Sequence, residues 1–527
     1  MAAHLADEAG TLPGLKKDAL FYQDTSRLPT VDRGEGVYIY DTDGQKYLDA
    51  CSGAVAANLG HGHPRMIGAA VKQLQKIAFA YRTQFTNEPA DRLAELLVQL
   101  SPPELNRAFF VNSGSEAVES ATKLARQYWR AVGQAGKSMI LSRRPSYHGA
   151  TLGALALTDY GPLNIPFRPM LMQSPKVAAP FCYHCPISHT YPECEMACVK
   201  ETERSMHVYG PENIAAIVVE PIGGATSGAA VPPDEYFPML ERICHENEIL
   251  LIIDDVMTGC GRTGTFYGYE HWDITPDIVC ASKGLSGGYT PIGAIIASET
   301  VVDPVMETGG FMHGHTYAAN PLSCAIALEA IRVIIDDHLV ENARDTGTYL
   351  HENLHELMGR YQFIGDVRGR GLMSAIEFVR DRQNREPFPA LWNVALEAKE
   401  IGRRHGILLY PRRSLYGLAG DHLLITPPLT ITREEVDDLI ARLDRTLADL
   451  LKLLEVHLAE EAADYEHEVE QRFHQVEDVP DYARGALDEV EPAEDANVTA
   501  QMTQEHVQLD SETEAALAEA NEEAEDR

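Results

Sequence analysis

At 527 residues with 45% apolar content, the chain is long enough to bury a large core and to form two to four domains. Its net charge of −35 would be repelled by a nucleic-acid backbone, and no apolar run nears the roughly 20 residues that cross a bilayer. The start, MAAHLADEAG, lacks the basic flank and apolar middle of a secretory signal, and nine cysteines scattered through a large chain read as reduced thiols. The expectation is therefore a cytoplasmic protein with no nucleic-acid and no membrane partner.

In chain order, GVYIYDTDGQKYLDA alternates around an Asp-Gly turn and predicts a β-hairpin. After NLGHGHP, the stretches MIGAAVKQLQKIA and PADRLAELLVQL carry helical apolar spacing. Strands and helices then alternate: RAFFVN, the helix SEAVESATKLARQYWRA, KSMILS, IAAIVVEP, the helix YFPMLERICHEN, EILLIIDD, DIVCAS and IGAIIAS. Short apolar strands separated by helices predict a mostly parallel sheet covered on both faces, an α/β domain. A long helix over NPLSCAIALEAIRVIIDD, strand pairs in FIGDVRGRGLMSAIEFV and a closing helix from TREEVDDLIARL complete the body. From Glu455 onward there are 24 acidic and 3 basic residues, net −21, which leaves −14 for the first 454. Within this acidic tail EVHLAEEAADYEHEVEQRFHQ could continue a helix, while VEPAEDANVTAQMTQEHVQLDSETEAALAEANEEAEDR is poor in aromatics and reads as a disordered, solubilising appendage.

Ligands of parallel sheets bind at the carboxyl ends of the strands, and three groups fall there. In FFVNSGSEAVES, Ser113 and Glu116 have capping-box spacing, so the N–H groups of Gly114 and Ser115 open a helix toward an anion. IIDD ends a strand in Asp254 and Asp255. ASKGLSGG sets Lys283 just past another strand among small and apolar neighbours, where a partly desolvated amine loses its proton more readily. A phosphate site, an acid for a ring nitrogen and a lysine for an aldehyde together outline pyridoxal 5'-phosphate. GCGRTG, Gly259 to Gly264, matches a dinucleotide fingerprint in letters only. DDVMT separates it from its strand and the aromatic TFYGYEHW follows it.

The run GHGHP, NSGSEAVE, YHGAT, VVEP, IIDDVMTGCGRTG, SKGLSGGYTPIGA, GHTYAANPLSCA, VRGRGL and PPLTIT resembles the class III pyridoxal-phosphate aminotransferases, the ω-amino-acid and amine transaminase group, over about Leu20 to Leu454. That resemblance implies fold type I, an α/β architecture with a large, seven-stranded type of sheet and a smaller α+β domain built from both chain ends. The domains implied are residues 1–75 and 346–454 for the small domain and 76–345 for the large one, with a Cys-rich insert at 180–200 and an acidic tail at 455–527. It further implies a homodimer with shared active sites, transferring an amino group from an ω-amino acid or amine to a 2-oxo acid such as pyruvate or 2-oxoglutarate.

Carried over residue by residue, Lys283 resembles the lysine that holds the cofactor's aldehyde and Asp254 the partner of its ring nitrogen. Gly114 and Ser115 match the phosphate cup, and Thr316 of GHTY matches the residue reaching the phosphate from the neighbouring subunit. Tyr147 and Val256 match the residues on the two faces of the ring, with His148 and Glu220 beside the cofactor. Val55 and Phe85 would lie at the substrate entrance. Two positions depart from the pattern without touching the core chemistry: Asp255 where a glutamate is usual, and Cys260 where an aromatic is common. A mobile arginine usual for this group aligns with Tyr410, so Arg412 or Arg413 is left to bind the substrate carboxylate, in a stretch that reads as a surface turn.

Two other readings stand beside this one. An aminomutase or racemase would use the same lysine and aspartate without a second substrate. The segment CYHCPISHTYPECEMAC could be a metal- or partner-binding module built on Cys182, Cys185, Cys194 and Cys198, with His184 and His189 near. Its C-x3-C half and the ordinariness of reduced loop cysteines favour packing, so no metal is assigned. The histidines of GHGHP and HGHT are read as polar turn residues.

Overall fold

The structure is a computed structural model that describes residues 28–477, with side chains described to residue 463. The disorder expected of the acidic tail falls largely outside the described residues.

Seven strands form the central sheet: β1 (Leu105–Val111), β2 (Met139–Arg144), β3 (Lys176–Ala178), β4 (Ile214–Val219), β5 (Leu250–Asp254), β6 (Ile278–Ala281) and β7 (Gly293–Ser298). Their order is β1-β7-β6-β5-β4-β2-β3. Every pairing is parallel except the two made by β7, which runs against both β1 and β6. Residues alternate between faces as a strand's period of two demands. Ile217, Val219, Leu251 and Ile253 pack into the larger apolar cluster, while Ala216, Val218, Leu250 and Ile252 pack beneath the helix α1 (Gly114–Ala131) with Val118, Ala121 and Leu124. Burial on both faces explains why these strands read as unbroken apolar runs.

The expected hairpin is present as Tyr38–Asp41 paired antiparallel with Lys46–Asp49. The second of these strands also pairs in parallel with Ile407–Leu408, so the two ends of the body share one small sheet. A further four-stranded sheet consists of β8 (Ile364–Arg370), β9 (Met373–Phe378), β10 (Tyr410–Leu415) and β11 (Ala419–Ile425), in the order β8-β9-β11-β10. The stretch YPRRSL, read from sequence as a surface turn, is therefore strand β10, paired along its length with β11. Its arginines and proline hid the strand, because an edge strand with one wet face needs no apolar run. A helix at Arg433–Glu477 closes the described chain. By contacts the chain divides into units 1–454 and 455–527.

Candidate active site

Five strands that run in one direction, β1, β2, β4, β5 and β6, bring their carboxyl ends to one side of the sheet. Just past those ends lie Gly114 and Ser115, Tyr147 and His148, Glu220, Asp254 and Val256, and Lys283. All eight line a single cavity of about 330 Å³.

Lys283 follows β6 at φ 43°, a left-handed conformation that costs a non-glycine residue about 1–3 kcal/mol. The turn holds because Gly284 lets Asn58 pass close by: a Cβ there would stand 2.3 Å from Asn58 Nδ2. No hydrogen bond or ion pair engages the lysine amine among the described residues. Burial pulls its pKa down to about 8, Asp254 and Glu220 oppose the shift, and Arg412 and Arg262 add to it. Asp254 is 5% exposed; its Oδ2 lies 2.7 Å from His148 Nδ1, and its Oδ1 accepts the Val256 N–H at 3.2 Å. His148 Nε2 is buried without a partner. Burial raises the carboxyl pKa of Glu220, whose oxygens accept the N–H groups of Gly224 at 3.0 Å and Tyr147 at 3.4 Å.

At the head of α1, the Ser113 side chain caps the N–H of Glu116. The N–H groups of Gly114 and Ser115 stay free to face an anion, as the first turn of a helix requires. Ser115 Oγ accepts the Ala150 N–H at 3.1 Å, which draws the segment after His148 against the same turn. The cavity thus offers a helix N-terminus, a carboxylate, an unengaged amine and an unpartnered imidazole nitrogen, a donor set matching the phosphate, ring nitrogen and aldehyde of pyridoxal phosphate.

The remaining sequence candidates separate. Arg412 lines the cavity, its Nη2 donating to Tyr410 Oη at 2.8 Å and its guanidinium 4.4 Å from the Tyr410 ring; no carboxylate pairs with it among the described residues. Arg413 points elsewhere, held by Asn393 Oδ1 at 2.8 Å, the Ala390 carbonyl and Asp421. Val55 does not line the cavity: at φ 60° and 1% exposed its side chain is turned inward, and the preceding Ala54 lines the space instead. Phe85 is 66% exposed and Thr316 is exposed, both away from this chain's cavity. Asp255 is a fold residue; its buried carboxyl accepts the Thr258 hydroxyl and the Gly268 N–H, and burial lifts its pKa well above the usual range.

Sequence reasoning missed several lining residues, among them Tyr160, Thr226 and Met257. Thr226, 2% exposed with its hydroxyl unpartnered, lies in the glycine-rich IGGATSG that follows Glu220, and its place after a strand end was the one available signal. Arg262, from the discarded glycine match, is fully buried and donates to the carbonyls of Leu372 and Pro427 and to Asn58 Oδ1. Cys182, Cys185, Cys194 and Cys198 do gather around one small cavity of about 20 Å³. Among the described residues, however, no group of three or more His, Cys, Asp or Glu is arranged to hold a metal ion. In the two histidine pairs, His61 is engaged by Asp49, and His313 by Ser120 and Lys123. No described helix is long and apolar enough to cross a membrane.

Comparison with known proteins gives the family. The family model described as "Aminotransferase class-III" matches residues 22–447. The uncharacterized aminotransferase YodT of Bacillus subtilis (strain 168) is 39% identical over 433 residues, covering 82% of this chain and 97% of its own. Gamma aminobutyrate transaminase 2 of Solanum lycopersicum is 34% identical, covering 81% and 92%. The crystal structure of an amine transaminase from an uncultivated Pseudomonas species, in its PLP-bound form, superposes with a TM-score of 0.78 at 33% identity, covering 83% of this chain and 99% of that one.

Proposed function

The chain belongs to the class III aminotransferases, and from that premise we propose that it transfers an amino group from an ω-amino acid or amine to a 2-oxo acid such as pyruvate or 2-oxoglutarate, at the cavity around Lys283. The observation that carries the acceptor half of this reading is Arg412: a guanidinium in the same cavity as Lys283, without a carboxylate partner among the described residues. A permanently charged guanidinium whose partners are the neutral Tyr410 hydroxyl and Pro411 carbonyl favours a carboxylate ligand.

The enzyme uses pyridoxal phosphate, which when bound supplies an aldehyde for the amino group and a ring that accepts the electrons released at the substrate carbon. The chain's own residues have separable tasks. Gly114 and Ser115 present N–H groups to the phosphate at the positive end of α1. Asp254, braced by His148, would face the ring nitrogen and favour its protonated form. Tyr147 and Val256, which line the cavity, would confine the ring on its two faces. Lys283 would hold the aldehyde, and its free Nζ would take a proton from the substrate carbon that bears the amine; a pKa of about 8 in the cofactor-free chain leaves a useful share of the amine neutral near pH 7–8. Thr316 and Phe85, exposed and away from this chain's cavity, fit a homodimer in which each subunit completes the other's site.

Lys283→Ala tests the reading. Wild type should convert 2-oxo acids to amino acids with an amine donor and bind a cofactor that borohydride reduction attaches permanently to the chain; the variant should lose both. Turnover by the variant would end the assignment.

A further inference from the structure

The Cys-rich insert is the one sequence motif that the aminotransferase chemistry leaves without a task. Its reach into the rest of the fold runs through His184. The imidazole Nε2 hydrogen-bonds Glu377 Oε1, and Glu377, on β9, is fully buried. Arg368 of β8 donates to Glu377 Oε2 at 2.6 Å and, with two of its nitrogens, to the Ser227 carbonyl at 2.9 and 3.2 Å. Ser227 immediately follows Thr226, which lines the substrate cavity. Ser414 Oγ of β10 donates to Glu377 Oε1, the oxygen that His184 holds, at 3.1 Å. In register, Glu377 lies opposite His422 of β11, and His422 lies opposite Arg412 of β10, one row across three strands.

Burial alone would raise the pKa of Glu377, yet the Arg368 charge and the His184 hydrogen bond bring it down to about 2, so it stays ionised and keeps its donors. The insert is itself tied down. Arg385 donates to the Tyr183 carbonyl at 2.6 Å, and Arg368 stands 5.0 Å from the Phe181 ring.

We propose that His184 is a positioning residue for the substrate site: through Glu377 it fixes both the wall at Thr226 and the strand that carries Arg412, so the insert sets the enzyme's affinity for carboxylate-bearing substrates. This rests on the reading that Arg412 binds the substrate carboxylate. A buried carboxylate with three donor contacts, from His184, Arg368 and Ser414, can hold two elements in fixed register. Deleting one donor leaves the charge in place and lets its partners relax.

The experiment compares steady-state kinetics of the holoenzyme on pyruvate or 2-oxoglutarate, whichever the wild type turns over, with cofactor absorbance as the control. His184→Ala should raise KM about tenfold, the size of one lost hydrogen bond to a charged group, with kcat within about twofold and cofactor absorbance unchanged. His184→Gln, which restores an N–H donor, should return KM toward the wild-type value. Ser414→Ala, which removes the other donor to the same oxygen, should show the same split and stands in if His184→Ala does not fold. An unchanged KM, a loss confined to kcat or cofactor absorbance, or no rescue by glutamine overturns the inference. Arg412→Leu separates the two readings. If it raises KM while His184→Ala does not, only the inference falls; if Arg412→Leu leaves KM unchanged, the carboxylate reading falls and takes the inference with it.

Discussion

The amine of Lys283 shows how much one residue owes to its surroundings. The residue sits past a strand end in a left-handed turn, and burial brings its pKa from the usual 10.5 to about 8. In the cofactor-free protein the folded chain releases this proton at about 8 and the unfolded chain near 10.5. This lysine's contribution to stability therefore rises with pH between those values and is flat below them. The same shift governs reactivity. Covalent uptake of pyridoxal phosphate by the cofactor-free protein should speed up with pH and level off above about 8. A rate still climbing at about pH 10, the behaviour of an ordinary solvated lysine, would show that the amine is not desolvated. The lysine and its aspartate were legible in the sequence because each directly follows an apolar strand. Which of two adjacent arginines faces the cavity was not. Arg412 and Arg413 differ by one step along a strand, and alternation sends one into the site and the other to Asn393 and Asp421.

At the scale of elements, the proposed phosphate cup depends on two chain segments meeting. The head of α1 supplies the N–H groups, and the segment around Gly149 packs on Ser115. Gly149 has φ 142°, which side-chain-bearing residues rarely adopt, and a Cβ there would stand 2.6 Å from Ser115 Oγ and 2.8 Å from the Ala154 Cβ. Gly149→Ala should therefore displace Ser115 and weaken pyridoxal phosphate binding by about tenfold or more, the cost of about 1–3 kcal/mol of backbone strain. Titration of the cofactor-free variant with pyridoxal, which lacks the phosphate, should show a much smaller loss; equal losses for both ligands would place the damage outside the cup. Most elements were legible from apolar spacing because burial on both faces of β4, β5 and β6 leaves unbroken apolar runs. Strand β10 was not, since one face is polar and its pairing with β11 is invisible to local pattern.

At the scale of the whole molecule, Arg262 fastens three distant parts of the chain, reaching Asn58, Leu372 and Pro427 from the turn after β5. Its local sequence suggested nothing of this. The proposed shared site makes a sharper claim. Lys283→Ala and Thr316→Asp chains should each be inactive alone. Mixed, refolded subunits should recover about a quarter of wild-type activity, because half the dimers are mixed and each holds one intact site. Recovery absent in verified mixed dimers would put Thr316 outside the partner's site. By itself the sequence determined six of the sheet's seven strands, all but the three-residue β3, with the strand ends that carry Lys283, Asp254 and Glu220 and the helix start at Gly114, because apolar periodicity and capping are local properties of a chain. Only the tertiary structure decided that Ala54 and not Val55 lines the cavity, that Arg412 and not Arg413 faces it, and that His184 reaches Glu377 across 193 residues. Those choices are set by backbone rotation and by pairing between distant strands, which leave no trace in the order of residues.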